Sequence, residues 1–211
     1  MAVRDALLAL LTAGPAYGFQ LHGGLAARTG GRRDINVGQT YSTLERLSKQ
    51  RLLEPAGSTD DGLPLHRLTA AGVAAAEAWL EGADAAGSDP WDETVDRVLI
   101  SRSLPDCDAD AVVAAEHARW QTRRAEASGV ASEPANGADA STGVTADAAQ
   151  TALVRLAASA DLARADAALA WLDRVVDTER IAFPSRTTRP KRGRRPGTPT
   201  AGSEAQAPAD A

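Results

Sequence analysis

The stretch that decides the fold is residues 36–51, NVGQTYSTLERLSKQR. Asn36 is a residue type that caps helix N-termini, and Gln39 follows three positions later, as in a capping box. Apolar residues then recur at helical spacing, which predicts a buried stripe of Val37, Tyr41, Leu44 and Leu47. The opposite face is predicted to carry the polar and basic side chains Gln39, Thr40, Ser42, Thr43, Arg46, Lys49 and Gln50. The sequence therefore predicts an amphipathic helix with a polar outer face.

Two further helices are predicted before this one. Val3, Leu7, Leu10 and Leu11 recur at helical spacing, and Gly14-Pro15 ends their helix. A second helix is predicted over residues 17–28, with Tyr17, Leu21 and Leu25 on one face. Three short helices in this order, the third amphipathic, are typical of a helix-turn-helix domain.

A β-hairpin and a fourth helix are predicted next. Asp60-Asp61-Gly62 separates two short apolar runs, residues 52–55 and 63–68, which is a hairpin pattern. The prolines in these runs predict short edge strands. Thr69 is predicted to cap a helix that reaches Leu80. The fold class is therefore mostly α with a small β-hairpin wing, a winged helix-turn-helix.

The second half of the chain is predicted to be helical. Pro90 opens a helix with Val95, Val98 and Leu99 inward, and a helix over residues 106–127 follows Pro105. A flexible loop and a long helix over residues 147–178 complete the pattern. In that helix Ala158, Leu162, Ala165, Leu169, Leu172 and Val176 alternate at four- and three-residue steps, which is typical of a coiled-coil seam. We expect Leu162, Leu169, Leu172 and Val176 to pair two copies of the chain.

Charge and composition divide the chain into three predicted parts. Residues 1–85 form the winged helix-turn-helix DNA-binding domain, and residues 86–183 form a helical dimerisation domain with a flexible loop at about 128–146. Residues 184–211 form a disordered basic tail. The formal charge is +2 over residues 1–68, −11 over 69–183 and +4 over 184–211. Because salt screens distant charges, the net charge of −5 does not exclude nucleic acid as a partner.

Several function classes are excluded by what the sequence lacks. Cys107 is the single cysteine, and His22, His66 and His117 lie on separate predicted elements, so we expect no disulfide, no metal and no cofactor. No nucleophile is paired with a base and no glycine-rich loop follows a strand, so we expect no enzyme. No apolar run is long enough for a membrane span, so we expect a cytoplasmic protein. The basic stretch of residues 186–195 is either a non-specific phosphate arm or an extension without function.

Four motifs resemble the PadR family of transcriptional regulators. They are LLALL at residues 7–11, GPAYGFQL at 14–21, TYSTLERL at 40–47 and RLTAAG at 67–72. Together they cover about residues 1–80. Further on, Ala170-Trp171-Leu172 resembles the dimerisation helix of that family. The chain departs from the family's pattern at residues 63–66, where basic and tyrosine residues are common, and at Arg51, where glycine is common.

The resemblance implies a homodimeric repressor that binds a palindromic operator in double-stranded DNA and is released by a small aromatic effector. Tyr41, with Leu44 and Leu47, would anchor the recognition helix. The DNA contacts would come from Gln39, Thr40, Ser42, Thr43, Arg46 and Lys49 on that helix and from His66 and Arg67 on the wing.

Two alternatives stay open. Trp79, Trp91 and Trp171 either stack on a planar effector or simply pack in the protein interior. The chain as a whole is either a DNA-binding regulator or a winged-helix protein-interaction module that reads no DNA sequence. The acidic central segment and the altered wing favour the second interpretation.

Overall fold

The structure, a computed structural model, describes residues 2–132, 146–179 and 181–183. Its elements in chain order are α1 (Ala2–Leu11), β1 (Ala16–Tyr17), α2 (Gly18–Arg28), α3 (Val37–Lys49), β2 (Leu53–Ser58), β3 (Pro64–Leu68), α4 (Ala70–Leu80), α5 (Pro90–Ser103), α6 (Ala109–Ser132) and α7 (Ala146–Val176). The predicted fold class, mostly α with a small β wing, is confirmed. The basic stretch of residues 186–195 lies outside the described residues.

The N-terminal core is built around α1, whose residues from Ala6 to Leu11 are all buried. Leucines of α2 and α3 and the side chains of Ala76 and Trp79 of α4 belong to the same buried cluster. Ile100 and Leu104, at the end of α5, belong to the same buried cluster. The boundary expected after residue 85 stays a prediction, and α5 packs into the first core across it.

The sheet is antiparallel and has the order β1-β3-β2. Gly62 takes a φ of +74° in the predicted turn, a conformation that glycine adopts without strain. The expectation of two edge strands is wrong for β3, which is the central strand. Tyr17 pairs with Leu65 and Ala16 with His66, so residue 17 lies in β1 and α2 begins one residue later than predicted. Pro64 is tolerated because it is the first residue of β3.

Helices α6 and α7 form an antiparallel hairpin. Arg124 of α6 donates to Asp166 of α7 at 2.5 Å, and His117 lies 3.1 Å from Asp173, so the two helices run in opposite directions. Helix α6 continues to Ser132, beyond the predicted start of a loop at residue 128. The rest of that predicted loop, residues 133–145, lies outside the described residues.

The predicted seam of α7 packs within one chain. Ala165, Ala168 and Leu172 join Val113 and Trp120 of α6 and Val98 of α5 in a second buried cluster. The expectation that Leu172 pairs two copies is therefore wrong, because its side chain is fully buried inside the monomer. Leu169 is partly buried against the same cluster, whereas Val176 is 61% exposed. A heptad pattern predicts that a helix has a partner, but it does not say whether that partner is in the same chain.

A buried polar network joins the two cores. Trp79 Nε1 of α4 donates to Glu93 Oε2 of α5 at 2.6 Å, and Arg97 of α5 forms an ion pair with Glu116 of α6. Although burial alone would raise the pKa of Glu116, the hydrogen bond from Arg119 and the charge of Arg97 together lower it. Such a network fixes the relative position of the elements it joins, because breaking it leaves buried charges without partners.

Candidate nucleic-acid interface

Helix α3 is held against α2 by two side-chain contacts. The ring of Tyr41 lies on Gly18, the first residue of α2, where a Cβ would come within 2.6 Å of the Tyr41 Cε1 atom. One helical turn further along α2, His22 Nδ1 lies 3.3 Å from the hydroxyl oxygen of Thr40. The N-terminal half of α3 is thus oriented by Gly18 and by His22, a histidine for which the sequence pattern predicted no role.

The inward face of α3 is rotated relative to the sequence prediction. Thr40 and Thr43 have exposed fractions of 0% and 3%, as deep as Leu44 and Leu47, whereas Tyr41 is 49% exposed and Val37 is 41% exposed. The predicted stripe is therefore wrong at residues 37 and 41. Thr40 and Thr43, predicted to face DNA, point into the protein instead.

The physical reason is the close packing of α2 on α3. Residues 40, 43, 44 and 47 keep the spacing of a helix face, so the structure uses a stripe adjacent to the predicted one. Threonine has a small side chain that fits between close helices and a hydroxyl that finds a partner, here His22 for Thr40 and Arg46 for Thr43. A hydrophobicity pattern that counts threonine as polar therefore predicts, wrongly, that Thr40 and Thr43 lie on the outer face of α3.

The outward face of α3 remains polar. The exposed side chains on it are Gln39, Ser42, Glu45, Arg46, Ser48 and Lys49. The side chains of its first two turns are uncharged, and the charges lie in the C-terminal half. There Lys49 donates to Glu45 at 2.7 Å, and this hydrogen bond lowers the pKa of the Glu45 carboxyl. Arg46 donates to the Thr43 hydroxyl at 3.2 Å and keeps an exposed side chain.

Arg51 forms the turn that ends α3. Its φ of +58° lies in the left-handed region, where it is the one non-glycine residue in the described part of the chain. Its amide donates to the Ser48 carbonyl at 2.9 Å, and the next amide, of Leu52, donates to the Leu47 carbonyl at 3.0 Å. These two bonds form a Schellman motif. Arginine thus adopts the conformation that glycine usually supplies there.

The wing presents less basic surface than its sequence suggests. Arg67 Nε donates to Glu54 Oε1 at 2.7 Å across the β2–β3 ladder, and both side chains are partly exposed. His66 is only partly exposed, and burial lowers its pKa. Arg67 therefore reaches the surface as half of an ion pair, and the His66 imidazole is biased toward its neutral form.

Two arginines in the loop before α3 tie that loop to α5. Arg33 Nε donates to Asp96 Oδ2 at 2.6 Å, and Arg32 donates to Asp92 Oδ1 at 2.9 Å. Asp96 is fully buried, and this burial raises its pKa despite the opposing effect of Arg33. Sequence reasoning missed these acids because the pairs are separated by 63 and 60 residues.

The three tryptophans predicted to bind an effector do not come together. Trp91 and Trp171 pack edge to face, with ring centroids 5.2 Å apart, and Trp120 joins them at 6.1 Å from Trp91. Trp79 lies apart from them in the N-terminal core, where it is buried. The sequence pattern did not predict that Trp120 belongs to this cluster. The three rings pack against one another.

Two general features follow from the described residues. In residues 2–132, 146–179 and 181–183, no three or more His, Cys, Asp or Glu side chains are grouped so that they could hold a metal ion. Within the same residues, none of the helices combines the length and the apolar character needed to cross a membrane.

The comparison with protein families gives one match. Residues 7–78 match the model of the Transcriptional regulator PadR-like family. The matched segment begins within α1 and ends in the last turn of α4, and so includes the second half of α1, all of α2 and α3, and the hairpin. The matched family is one of transcriptional regulators, which confirms the expectation that the chain is not an enzyme. No curated protein sequence matches the chain.

Solved structures resemble the chain only weakly as a whole. Bacillus subtilis PadR in complex with operator DNA is 16% identical, with 82% of this chain and 97% of that chain covered and a TM-score of 0.35. Bacillus subtilis PadR in complex with p-coumaric acid is 16% identical, with 83% of this chain and 93% of that chain covered and a TM-score of 0.34. The Vibrio cholerae virulence activator AphA is 17% identical, with 82% of this chain and 95% of that chain covered and a TM-score of 0.32.

Proposed function

Residues 7–78 belong to the PadR-like family of transcriptional regulators, and on that premise we propose that the chain is a homodimeric repressor that reads a two-fold symmetric operator. DNA-binding transcriptional regulation is the function of the family. The proposal adds the direction of regulation, the assembly and the residues that contact DNA. It also keeps the division into a DNA-binding part, residues 1–85, and a dimerisation part, residues 86–183.

The observation that carries the proposal is the outward face of α3. Side chains in the early turns of a recognition helix reach base edges in the major groove, and later ones reach phosphates. Gln39 and Ser42 are exposed in the early turns, and Arg46 and Lys49 are exposed in the later ones. We assign Gln39 and Ser42 to base edges, Arg46 to guanine or phosphate, and Lys49 to phosphate. Thr40 and Thr43 lie on the buried face of α3 and hold the helix against the rest of the domain.

The wing contributes a weaker contact in this proposal. Arg67 is exposed, but it must leave Glu54 or share its guanidinium to bind a phosphate. His66 is a neutral hydrogen-bonding group at neutral pH because burial lowers its pKa. We therefore assign most of the affinity to α3, with Arg67 and His66 as secondary contacts to the backbone.

Dimerisation is assigned to the exposed apolar side chains of the α6–α7 hairpin. These are Val130, Leu153, Val154, Leu156 and Val176. Val130 of α6 and Val154 of α7 line one surface pocket, and Val176 lies at the opposite end of α7. Exposed apolar side chains mark an interaction site, and a second copy of the chain covers them in the proposed assembly. A two-fold axis there presents two α3 helices to half-sites separated by about one turn of DNA.

Two further parts of the proposal rest on the family alone. Release of DNA by a small effector is the regulatory step, and the cytoplasm is the compartment where the chain meets DNA. The tryptophan cluster does not supply the effector site in this proposal, because its rings pack against each other.

The second candidate function is a protein-interaction module that uses the winged fold without reading DNA sequence. The charge of −11 over residues 69–183 and the paired state of Arg67 favour it. Selection of binding sites from random double-stranded DNA distinguishes the two functions. A regulator enriches one two-fold symmetric sequence, whereas the interaction module enriches none.

A further inference from the structure

A cavity of about 510 Å³ lies where the N-terminal core meets α6. Its walls come from the end of α1, from α4, from the turn between α5 and α6, and from the first turns of α6. Leu80, Leu104 and Val112 make these walls apolar, and the volume falls in the range of about 300–1,000 Å³ that is typical of small-molecule sites. We call it the α1–α4–α6 cavity.

The rim of this cavity is acidic. Its four charged residues are Glu77, Glu81, Asp106 and Asp108. All four are exposed, and within the described part of the chain none of them forms an ion pair. No lysine, arginine or histidine lines the cavity. Four carboxylates around an apolar space favour a ligand with positive charge over one with negative charge.

The described arginine that contacts a rim residue is already engaged. Arg119 of α6 donates to the backbone carbonyl of Glu81 at 2.8 Å and to the Glu116 carboxylate at 2.6 Å. One rim carboxylate oxygen, Asp108 Oδ1, accepts a hydrogen bond from the amide of Ala111 at 3.0 Å. The rim therefore favours a cation in the cavity and disfavours an anion.

We propose that the α1–α4–α6 cavity binds an organic cation with an apolar body, and that this cation is the effector of the regulator. Apolar contact with Leu80, Leu104 and Val112 supplies affinity, and the rim carboxylates select positive charge. Only the claim that the bound cation regulates DNA binding rests on the proposed function. The binding site itself stands on the cavity and its charges.

The location of the cavity allows a bound cation to change the affinity of the chain for DNA. Thr12 and Ala13 are exposed residues that directly follow α1, and Ala115 lies on α6, which packs against α7. A ligand between them contacts the DNA-binding part and the dimerisation part at once. A ligand shifts a conformational equilibrium only by its different affinity for the two states, so the proposal requires the shape of this cavity to differ between the DNA-bound and the DNA-free chain.

Two tests of binding use the full chain without DNA. Tetraphenylphosphonium and tetraphenylborate have nearly the same shape and opposite charge, so they separate charge selection from apolar contact. We expect calorimetry to give binding of the phosphonium that weakens as salt rises, and at least about tenfold weaker binding of the borate. Equal affinities, or tighter binding of the borate, would overturn the proposal.

The single cysteine locates the bound cation. Cys107 lines the cavity and is partly exposed, and the chain has no other cysteine, so alkylation by neutral iodoacetamide reports on this place alone. Saturating phosphonium is expected to slow alkylation at least about fivefold, since the ligand excludes the reagent from a site of this size. Binding without any change in the alkylation rate would place the cation elsewhere and overturn the assignment.

Matched variants complete the test. The double variant Glu81→Gln/Asp106→Asn is expected to weaken phosphonium binding about tenfold, because two of the four rim charges are gone. Glu126→Gln/Asp177→Asn removes the same charge from exposed positions outside the cavity and is expected to change affinity less than twofold. Equal effects of the two doubles would show only a general charge effect and overturn the site.

A blocking variant keeps the result independent of charge. Ala115→Leu places a larger side chain on the α6 wall and is expected to abolish phosphonium binding while leaving the circular dichroism spectrum unchanged. Binding that persists in this folded variant would count against the cavity. Operator binding without the cation is measured in parallel, so loss of the effector site is distinguished from failure of the DNA-binding function.

Discussion

The ring of Tyr41 occupies the space that a side chain on residue 18 would need: a Cβ there would lie 2.6 Å from Tyr41 Cε1 and 2.9 Å from Cζ. Gly18→Ala therefore has to displace the ring. Because Tyr41 is half exposed, the ring can move at little cost, and we expect a change in unfolding free energy below about 1 kcal/mol. The displaced ring changes how α3 sits on α2, so operator affinity should fall several-fold in a fluorescence anisotropy titration.

Gly24→Ala is the control for that experiment. It lies on the same helix, but a Cβ there meets only Leu10 Cδ1 at 3.9 Å, an ordinary contact. Replacing a helical glycine with alanine should stabilise the chain by about 0.5–1 kcal/mol and leave operator affinity unchanged. Equal operator affinities for Gly18→Ala and Gly24→Ala would mean that the Tyr41 contact does not orient α3.

Arg51 holds the left-handed turn after α3 under strain. Arg51→Gly should stabilise the chain by about 1 kcal/mol, because a side chain at φ +58° crowds the backbone and glycine does not. Gln50→Gly, at φ −79°, should destabilise it instead, since no strain is relieved there. Urea unfolding measures both variants, and a less stable Arg51→Gly protein would show that the arginine side chain makes a compensating contact.

The contribution of Asp89, the N-cap of α5, to the stability of the fold depends on pH. Its carboxylate accepts the amides of Trp91 and Asp92 and pairs with Arg164 of α7. The hydrogen bond from Arg164 is the main cause that lowers the pKa of Asp89 from its ordinary 3.8 to about 2. A carboxyl with a depressed pKa in the folded state stabilises the fold above its unfolded pKa. That contribution is lost as the pH falls from about 3.8 to about 2.

Two substitutions separate the charge of Asp89 from its capping role. Asp89→Asn keeps a good N-cap but removes the charge, so its difference in unfolding free energy from the native chain should shrink between pH 5 and pH 2. Asp89→Ala should cost about 1 kcal/mol more than Asp89→Asn at every pH, because the cap is lost. A difference between Asp89→Asn and the native chain that stays constant over this pH range would rule out the charge contribution.

Leu156 and Leu172 of α7 are assigned different partners. Leu172 is fully buried within the chain and Leu156 is 67% exposed. Leu156→Asp should therefore leave the monomer folded and weaken dimerisation in sedimentation, whereas Leu172→Asp should reduce the unfolding free energy by several kcal/mol, since it buries a charge. A dimer that resists Leu156→Asp would move the subunit contact away from the exposed apolar side chains of the hairpin.

Local signals in the sequence predicted much of the fold. Asn36 accepts the Gly38 amide at 2.8 Å and Thr69 accepts the Gly72 amide at 3.1 Å, so both predicted helix starts are confirmed. The turn at Gly62 is confirmed for the same reason. Caps and turns depend on a few neighbouring residues, and their chemistry can be read without knowledge of the tertiary structure.

The rest depends on contacts between distant residues. The inward face of α3 is decided by the fit of Thr40 against His22 on another helix, and the loop before α3 is held by Asp96, 63 residues beyond Arg33. The partner of the α7 seam is decided by the packing of α6, which the heptad spacing does not contain. In each case the deciding residue lies outside any local window, so periodicity alone selects a neighbouring stripe or the wrong partner.

The central claim is that the outward face of α3 reads DNA, and the most direct measurement is the affinity of Arg46→Ala for the selected operator and for random DNA. Arg124→Ala, an exposed arginine on α6, is the matched control. At physiological salt Arg46→Ala should lose about 1–3 kcal/mol of operator affinity, while Arg124→Ala loses almost none. Unchanged operator affinity in Arg46→Ala, or a native chain that binds operator and random DNA equally, would contradict the claim.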